Sequence, residues 1–270
     1  MSHSTTRITH WYVFAALSWL AFGLATKGLH ADLVVVQNSS FEDVTGSVAF
    51  NEFTFGPPVG WQLHNPNGVV VNNGVGPQFW VGTLRPSPPT NFNSVPDGQR
   101  VAILFNEFGT GNLGEYGLSQ TLTTTLQANM RYTLDVEIGN IASGTALNGQ
   151  FFNLNGFPGY RVDLLAGGVV IASDNNSLAG SIPEGEWGTS TINFETTASH
   201  LQLGQALGIR LVNLNVVDLS APTTDLEVDF DHVRLQASAV PEPSSGVLLG
   251  VLLLFTTFPR RQRKTSVRMI

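Results

Sequence analysis

The chain has 270 residues, no cysteine and a formal net charge of −7, from 20 acidic against 13 basic residues. The lack of cysteine excludes disulfides, thiolate metal sites and a cysteine nucleophile. All acidic residues lie between positions 32 and 243, where six arginines and no lysine oppose them, and a surface this acidic excludes nucleic acid as a partner because it repels phosphate.

The N-terminal segment has the pattern of a secretory signal peptide. Arg7 precedes an apolar run from Trp11 to Ala25, and the small residue Ala31 stands before Asp32. A basic start, an apolar run and a small-residue exit predict a signal peptide over residues 1–31. The run of 15 residues is shorter than the roughly 20 that span a bilayer. An uncleaved N-terminal anchor is the alternative.

The body shows alternation with a period of two. Between Tyr132 and Ile138 the even positions are apolar and the odd positions polar, and residues 160–164 and 226–230 repeat the pattern. Such segments are typical of strands with one buried and one wet face. Further short apolar runs, punctuated by Gly, Asn and Pro, predict an all-β fold over residues 32–236: an antiparallel β-sandwich of the jelly-roll type. Asp229 falls on a wet face and is expected to be exposed.

Two long loops are predicted, over residues 72–99 and 140–159. Loops on a rigid β scaffold commonly carry binding residues. Trp61, Tyr132 and Tyr160 are assigned to the core. Three other aromatic residues are candidates for stacking on a sugar, because aromatic rings offer flat apolar area to its C–H faces; they are Trp80, Tyr116 and Trp187. Partial core packing is the alternative for each of them.

The C-terminal segment combines three features. After a linker over residues 237–245 comes an apolar run over 246–258 and then a basic tail over 259–270. The linker holds the motif Val240-Pro241-Glu242-Pro243, and the tail begins with Arg260, Arg261 and Arg263. The prolines keep the motif extended. The basic residues resist translocation and predict a cytoplasmic tail behind a hydrophobic helix.

This arrangement resembles the PEP-CTERM sorting signal of Gram-negative bacteria. The resemblance implies recognition by an exosortase as partner, removal of the hydrophobic tail, and release to the cell surface or extracellular matrix after a membrane-anchored stage. A single-pass C-terminal anchor is the alternative, since a short segment can span a thinned bilayer.

A second resemblance concerns the body. Its Asn-x-x-Phe-Glu opening at Asn38–Glu42, the Gly-Trp pair ending at Trp61 and the closing Asp-x-Val-x-Leu strand at Asp231–Leu235 are similar to galactose-binding-like jelly rolls, notably carbohydrate-binding modules. The resemblance implies that Glu42 and Asp231 ligate a structural calcium ion. Ordinary polar residues at strand ends are the alternative.

Two further observations bear on this calcium site. The carboxylates Asp43 and Asp229 are candidates for additional ligands, since calcium prefers oxygen donors. Apolar positions also change phase after Phe230, which predicts a β-bulge at Asp231–His232.

No catalytic motif is present. The chain has no Gly-x-Ser-x-Gly elbow, no His-Glu-x-x-His and no phosphate loop. The sequence therefore predicts a non-catalytic surface or matrix protein that binds exopolysaccharide. The alternatives are a structural or adhesive matrix protein without a small ligand, and a secreted glycan-active enzyme with two facing carboxylates.

Overall fold

The computed structural model describes residues 31–74, 79–88, 90–109 and 114–240. The regular elements in these ranges are β-strands and one 3₁₀ turn, Asn72–Gly74. The strands are β1 Ala31–Val34, β2 Val48–Phe50, β3 Phe53–Phe55, β4 Gln62–His64, β5 Phe79–Leu84, β6 Val101–Asn106, β7 Tyr116–Thr125, β8 Met130–Asn140, β9 Gly144–Thr145, β10 Phe151–Phe152, β11 Tyr160–Ala166, β12 Val169–Asn175, β13 Glu186–Glu195, β14 Ala206–Asn213 and β15 Leu226–Ala239.

The strands form two antiparallel sheets and a hairpin. The larger sheet has the order β13-β8-β15-β6-β5-β3-β2, with β1 also paired to β15, and the smaller has the order β12-β11-β14-β7-β4. Strands β9 and β10 form a separate two-stranded hairpin. The predicted antiparallel β-sandwich is confirmed. Among the described residues, no helix is long and apolar enough to cross a membrane.

Several sequence-based predictions fall on other parts of the chain. The signal segment before residue 31 and everything from Pro241 onward, including the hydrophobic and basic segments, lie outside the described residues. The domain boundaries based on these segments stay predictions.

The main core lies between the two sheets. The even positions of β8, from Tyr132 to Ile138, are buried against Val162 and Leu164 of β11. Trp61 and Tyr160 are buried in the same cluster, as their positions in the sequence predicted. Each large apolar side chain buried here stabilises the fold by about 2 kcal/mol.

A second apolar layer covers the outer face of the larger sheet. Trp80, Ile103 and Phe105 project from β5 and β6 into a cluster that also contains Phe92 and Phe152. Phe92 belongs to the described residues between 85 and 99, which are 85–88 and 90–99, and Phe152 belongs to the segment 141–157. These segments lie over the sheet as a roof. These segments fall within the two predicted long loops. The first of those loops also contains β5, and the second contains the β9–β10 hairpin.

This roof changes the environment of β15. Its odd-numbered positions were expected to face water, but Glu227 is only 6% exposed and Asp229 is fully buried. The prediction that Asp229 is exposed is wrong, because the outer face of the sheet is covered by the roof segments.

The bulge predicted in β15 is present. The pairing of β15 with β8 shifts register between Asp231 and Arg234, and His232 has a positive φ of 49°. The extra residue lets Asp231 be buried while the apolar positions resume at Val233.

Candidate functional site

A pocket lies between the outer face of the larger sheet and its roof. Strands β3, β5, β6 and β15 supply its floor, and the β9–β10 hairpin and its flanks supply its cover. Its cavity of about 20 Å³ holds about one water molecule. The side chains that matter chemically are aromatic or carboxylic; they are Glu52, Phe53, Trp80, Phe105, Phe152 and Glu227.

Aromatic rings line this pocket. The Trp80 ring centroid lies 5.2 Å from that of Phe53, 5.2 Å from that of Phe105 and 5.8 Å from that of Phe152. Trp80 and Phe105 are cross-strand partners, so the sheet itself fixes their spacing. Trp80 Nε1 is buried and has no hydrogen-bond partner in the described part of the chain. The electron-rich faces of such rings stabilise a nearby cation.

Two carboxyl groups stand side by side at one edge of this aromatic cluster. Glu227 pairs with Phe105 and Asp229 with Ile103, so both project from the roofed face of β15. Burial, and then the charge of Asp225, raises the pKa of Glu227 to about 8. Burial, and then Glu227, raises the pKa of Asp229 well above its usual value. The pair therefore holds a proton at neutral pH, and Glu227 lines the pocket as a potential acid.

A third carboxyl group lines the pocket from the opposite side. Glu52 lies in the turn between β2 and β3, and its Oε1 accepts a hydrogen bond from the Leu147 backbone N–H at 2.8 Å. This bond joins the β2–β3 turn to the β9–β10 hairpin. Glu52 Oε2 is buried and has no hydrogen-bond partner among the residues described.

The predicted calcium ligands lie elsewhere, on either side of the loop 97–100. Asp231 Oδ2 accepts the Asp97 N–H at 2.9 Å, and Glu42 Oε1 accepts the N–H groups of Gln99 and Arg100 at 2.6 and 2.7 Å. Gly98 has φ +69°, and a Cβ there would lie 2.3 Å from Glu42 Oε1. Only glycine therefore lets the loop wrap this carboxylate.

The electrostatics of this loop site fit a cation in part. Burial, together with repulsion by the charges of Asp97 and Glu42, raises the pKa of Asp231 to about 8. A divalent cation would relieve this repulsion. Within the described ranges, however, no group of three or more His, Cys, Asp or Glu side chains could hold a metal. Of the predicted additional ligands, Asp43 instead accepts the Thr45 N–H, and Asp229 is buried under the roof.

The three residues predicted to stack on a sugar lie in three different places in the structure. Trp80 lies in the pocket. Tyr116 is fully buried in the inter-sheet core, where Asn213 Nδ2 donates to its hydroxyl at 3.3 Å. Trp187 packs under the roof, with its ring 4.4 Å from that of Phe92 and its Nε1–H donated to the Ser94 carbonyl at 3.0 Å.

Of the predicted sorting motif, Val240 alone lies among the described residues. Val240 donates its backbone N–H to the Asn129 carbonyl. The other members lie outside the described residues; they are Pro241, Glu242, Pro243, Arg260, Arg261 and Arg263.

Sequence reasoning missed Glu52 and Glu227. One signal for the roof was available, since β6 reads as a continuous apolar run from Val101 to Phe105. Such a run is typical of a strand buried on both faces. A neighbour of such a strand has no wet face either, so the acidic residues of β15 are buried.

Comparison with solved structures finds cyclases from Fischerella sp. TAU. One crystal structure of a cyclase is 37% identical and covers 79% of this chain and 100% of its own, with a TM-score of 0.64. The Stig cyclase Fisc in complex with (3Z)-3-(1-methyl-2-pyrrolidinylidene)-3H-indole is 36% identical over 78% of this chain and 100% of its own, also at 0.64. A complex with 4-(1H-indol-3-yl)butan-2-one gives the same values. No curated protein matches the chain.

The comparisons contradict the family assignments and the partners that were predicted from the sequence. The body was expected to resemble a carbohydrate-binding module, and the chain an exosortase-sorted PEP-CTERM protein; both identifications are wrong, since residues 32–236 match a cyclase family. The predicted partners, an exosortase, a membrane and an exopolysaccharide, are wrong as well, since the Fischerella cyclases are found in complex with small indole compounds.

The prediction of a non-catalytic matrix protein is wrong for the same reason. It relied on the absence of nucleophile and metal motifs, whereas a buried acid in an aromatic pocket has no sequence motif. The family model described as HpiC1 cyclase matches residues 32–236, and the chain belongs to this HpiC1-like cyclase family.

Proposed function

We propose that this protein closes rings in a small, apolar, aromatic substrate by acid catalysis. The observation that carries the proposal is Glu227, a carboxyl group held protonated by burial at the edge of an aromatic pocket. Glu227 donates its proton to an electron-rich carbon–carbon double bond of the substrate. The resulting cation is stabilised by the faces of Trp80, Phe105 and Phe152.

Ring closure then requires no other reagent. A carbon–carbon bond forms when a second π bond of the substrate attacks the cation, and a proton is lost to the carboxylate that Glu227 has become. Substrate and product are isomers. Asp229 is buried beside Glu227, and two neighbouring carboxylates in one buried site disfavour ionisation, which favours return of the proton to Glu227. Excluding water from the roofed pocket prevents its addition to the cation.

The substrate class that fits this lining carries an indole ring. The Fischerella cyclases hold indole compounds, and the pocket of this chain offers flat aromatic walls to such a ring. A cavity of about 20 Å³ is smaller than an indole, so the β9–β10 hairpin must move outward to admit it. Ligand entry coupled to movement of a covering segment is common in enzymes.

The test uses the full chain and an indole with an alkenyl side chain. We expect a product of unchanged mass in water and one mass unit heavier in D₂O, because Glu227 exchanges its proton with solvent. Glu227→Gln should lower kcat by about 10² or more. Glu184 lies outside the pocket and its Oε1 accepts the Gly156 N–H, so Glu184→Gln should leave kcat unchanged. A Glu227→Gln rate within threefold of wild type would refute the assignment.

We also propose a structural calcium ion at the loop 97–100. Glu42 and Asp231 would hold it with backbone carbonyls, and the ion would offset both the burial of the Asp231 carboxylate and its repulsion by Asp97 and Glu42, which raise its pKa. Thermal unfolding of the full chain should then shift upward with millimolar calcium relative to chelator. Asp231→Asn should abolish the shift, while Asp43→Asn should retain it. An unchanged Tm in wild type would rule out the ion.

Export is a third proposal. Its support is the basic residue and apolar run before Ala31, which are typical of a signal peptide. Expression of the full chain in a Gram-negative host, followed by fractionation, should recover a shortened protein outside the cytoplasm. Recovery of the intact chain from the cytoplasm alone would contradict export.

A further inference from the structure

Glu52 stands out because only one of its two carboxylate oxygens accepts a hydrogen bond among the described residues. Its Oε1 accepts the Leu147 N–H, but its Oε2 is buried without a hydrogen-bond partner in the described ranges. A buried polar atom without a partner is costly to the fold. Because Glu52 lines the pocket, a ligand there is in a position to supply the missing donor.

The sheet places Glu52 and Glu227 at opposite ends of the pocket. In strand order β15 is followed by β6, β5 and β3, so β15 and β3 are about 14 Å apart at roughly 4.8 Å per strand. Glu52 immediately precedes β3. The floor between the two carboxyl groups is Trp80 and Phe105, and it is apolar apart from the indole N–H of Trp80.

We propose that Glu52 is a specificity-determining residue whose Oε2 accepts the N–H of a heteroaromatic substrate. The inference rests on the proposed function of the pocket. The bond orients the substrate, with its N–H toward β3 and its reacting double bond toward Glu227. It also connects substrate binding to the roof, since the same carboxylate holds the β9–β10 hairpin through Leu147. Substrates without the N–H lose this contact and are discriminated against.

The experiment compares two ligands that differ by one methyl group. The probes are 4-(1H-indol-3-yl)butan-2-one and its N-methyl derivative, and the affinity of each for the full chain is measured by calorimetry. A hydrogen bond to a charged acceptor makes us expect the wild type to prefer the N–H compound by about tenfold or more.

Glu52→Gln is the decisive variant. It has the same shape but one acceptor oxygen in place of two, so it cannot accept both the Leu147 N–H and the ligand N–H in the same way. We expect the preference to fall to about threefold or less. Glu184→Gln, which changes another loop-binding glutamate, should retain it. A simple clash with the added methyl group would persist in Glu52→Gln.

The outcomes separate the inference from the function on which it depends. An equal preference in Glu52→Gln and wild type, or no preference in wild type, overturns the role of Glu52 while ligand binding itself stands. If neither compound binds the wild type, the proposed function fails and the inference fails with it. Thermal unfolding of Glu52→Gln, measured in parallel, should lie near wild type because the bond to Leu147 remains available.

Discussion

The carboxyl pair under the roof makes the stability of this protein depend on pH in a specific direction. The pKa of Glu227 is about 8 in the folded protein against a usual value of 4.5. A raised folded-state pKa means that the contribution to stability is fully present below about pH 4.5 and is lost as pH rises toward 8. Each pH unit in this window costs about 1.4 kcal/mol, for an upper limit of about 5 kcal/mol in all.

The perturbation that tests this is Glu227→Gln, which removes the titration. We expect urea unfolding at pH 5, 6, 7 and 8 to show the wild type losing stability relative to the variant by about 1 kcal/mol per pH unit. The variant also lowers the pKa of Asp229, since Glu227 is one cause of its elevation, and this adds to the difference. Parallel stability curves for the two proteins would show that Glu227 is ionised or solvated, and would refute the reasoning.

Two further predictions concern stability. Asp163 is 1% exposed and pairs with Arg210 at 2.7 Å and with Arg161 at 3.1 Å. Asp163→Asn should therefore lower the free energy of unfolding, measured by urea titration, by about 3 kcal/mol. Glu195→Gln, which breaks an exposed ion pair, should lower it by under about 1 kcal/mol. Trp187→Ala removes the ring that stacks on Phe92 of the roof, and we expect the free energy of unfolding to fall by about 3 kcal/mol. A clearly smaller decrease would show that the roof packs independently of β13.

Much of the sandwich follows from local patterns in the sequence. The alternation from Tyr132 to Ile138 predicts β8 and its buried face correctly, because inter-sheet packing selects a period of two. The phase change after Phe230 likewise predicts the bulge, since an extra residue must displace one side chain to the other face.

The candidate site could not be predicted in this way. Alternation indicates that the two faces of a strand differ, but it does not distinguish a solvated face from one covered by other segments, so Glu227 and Asp229 were expected to be solvated. Glu52 gives no pattern at all, because its role depends on contact with Leu147, 95 positions further along the chain. Only tertiary structure brings these carboxyl groups to the same aromatic cluster.

The second apolar layer has a consequence for how such proteins diversify. Since the roof segments pack on the outer face of the larger sheet, they are separate from the inter-sheet cluster that holds the sandwich together. Insertions and substitutions in the roof therefore change the lining of the pocket while leaving the inter-sheet packing unaltered. A single inter-sheet scaffold is therefore compatible with roofs that differ in length and in lining.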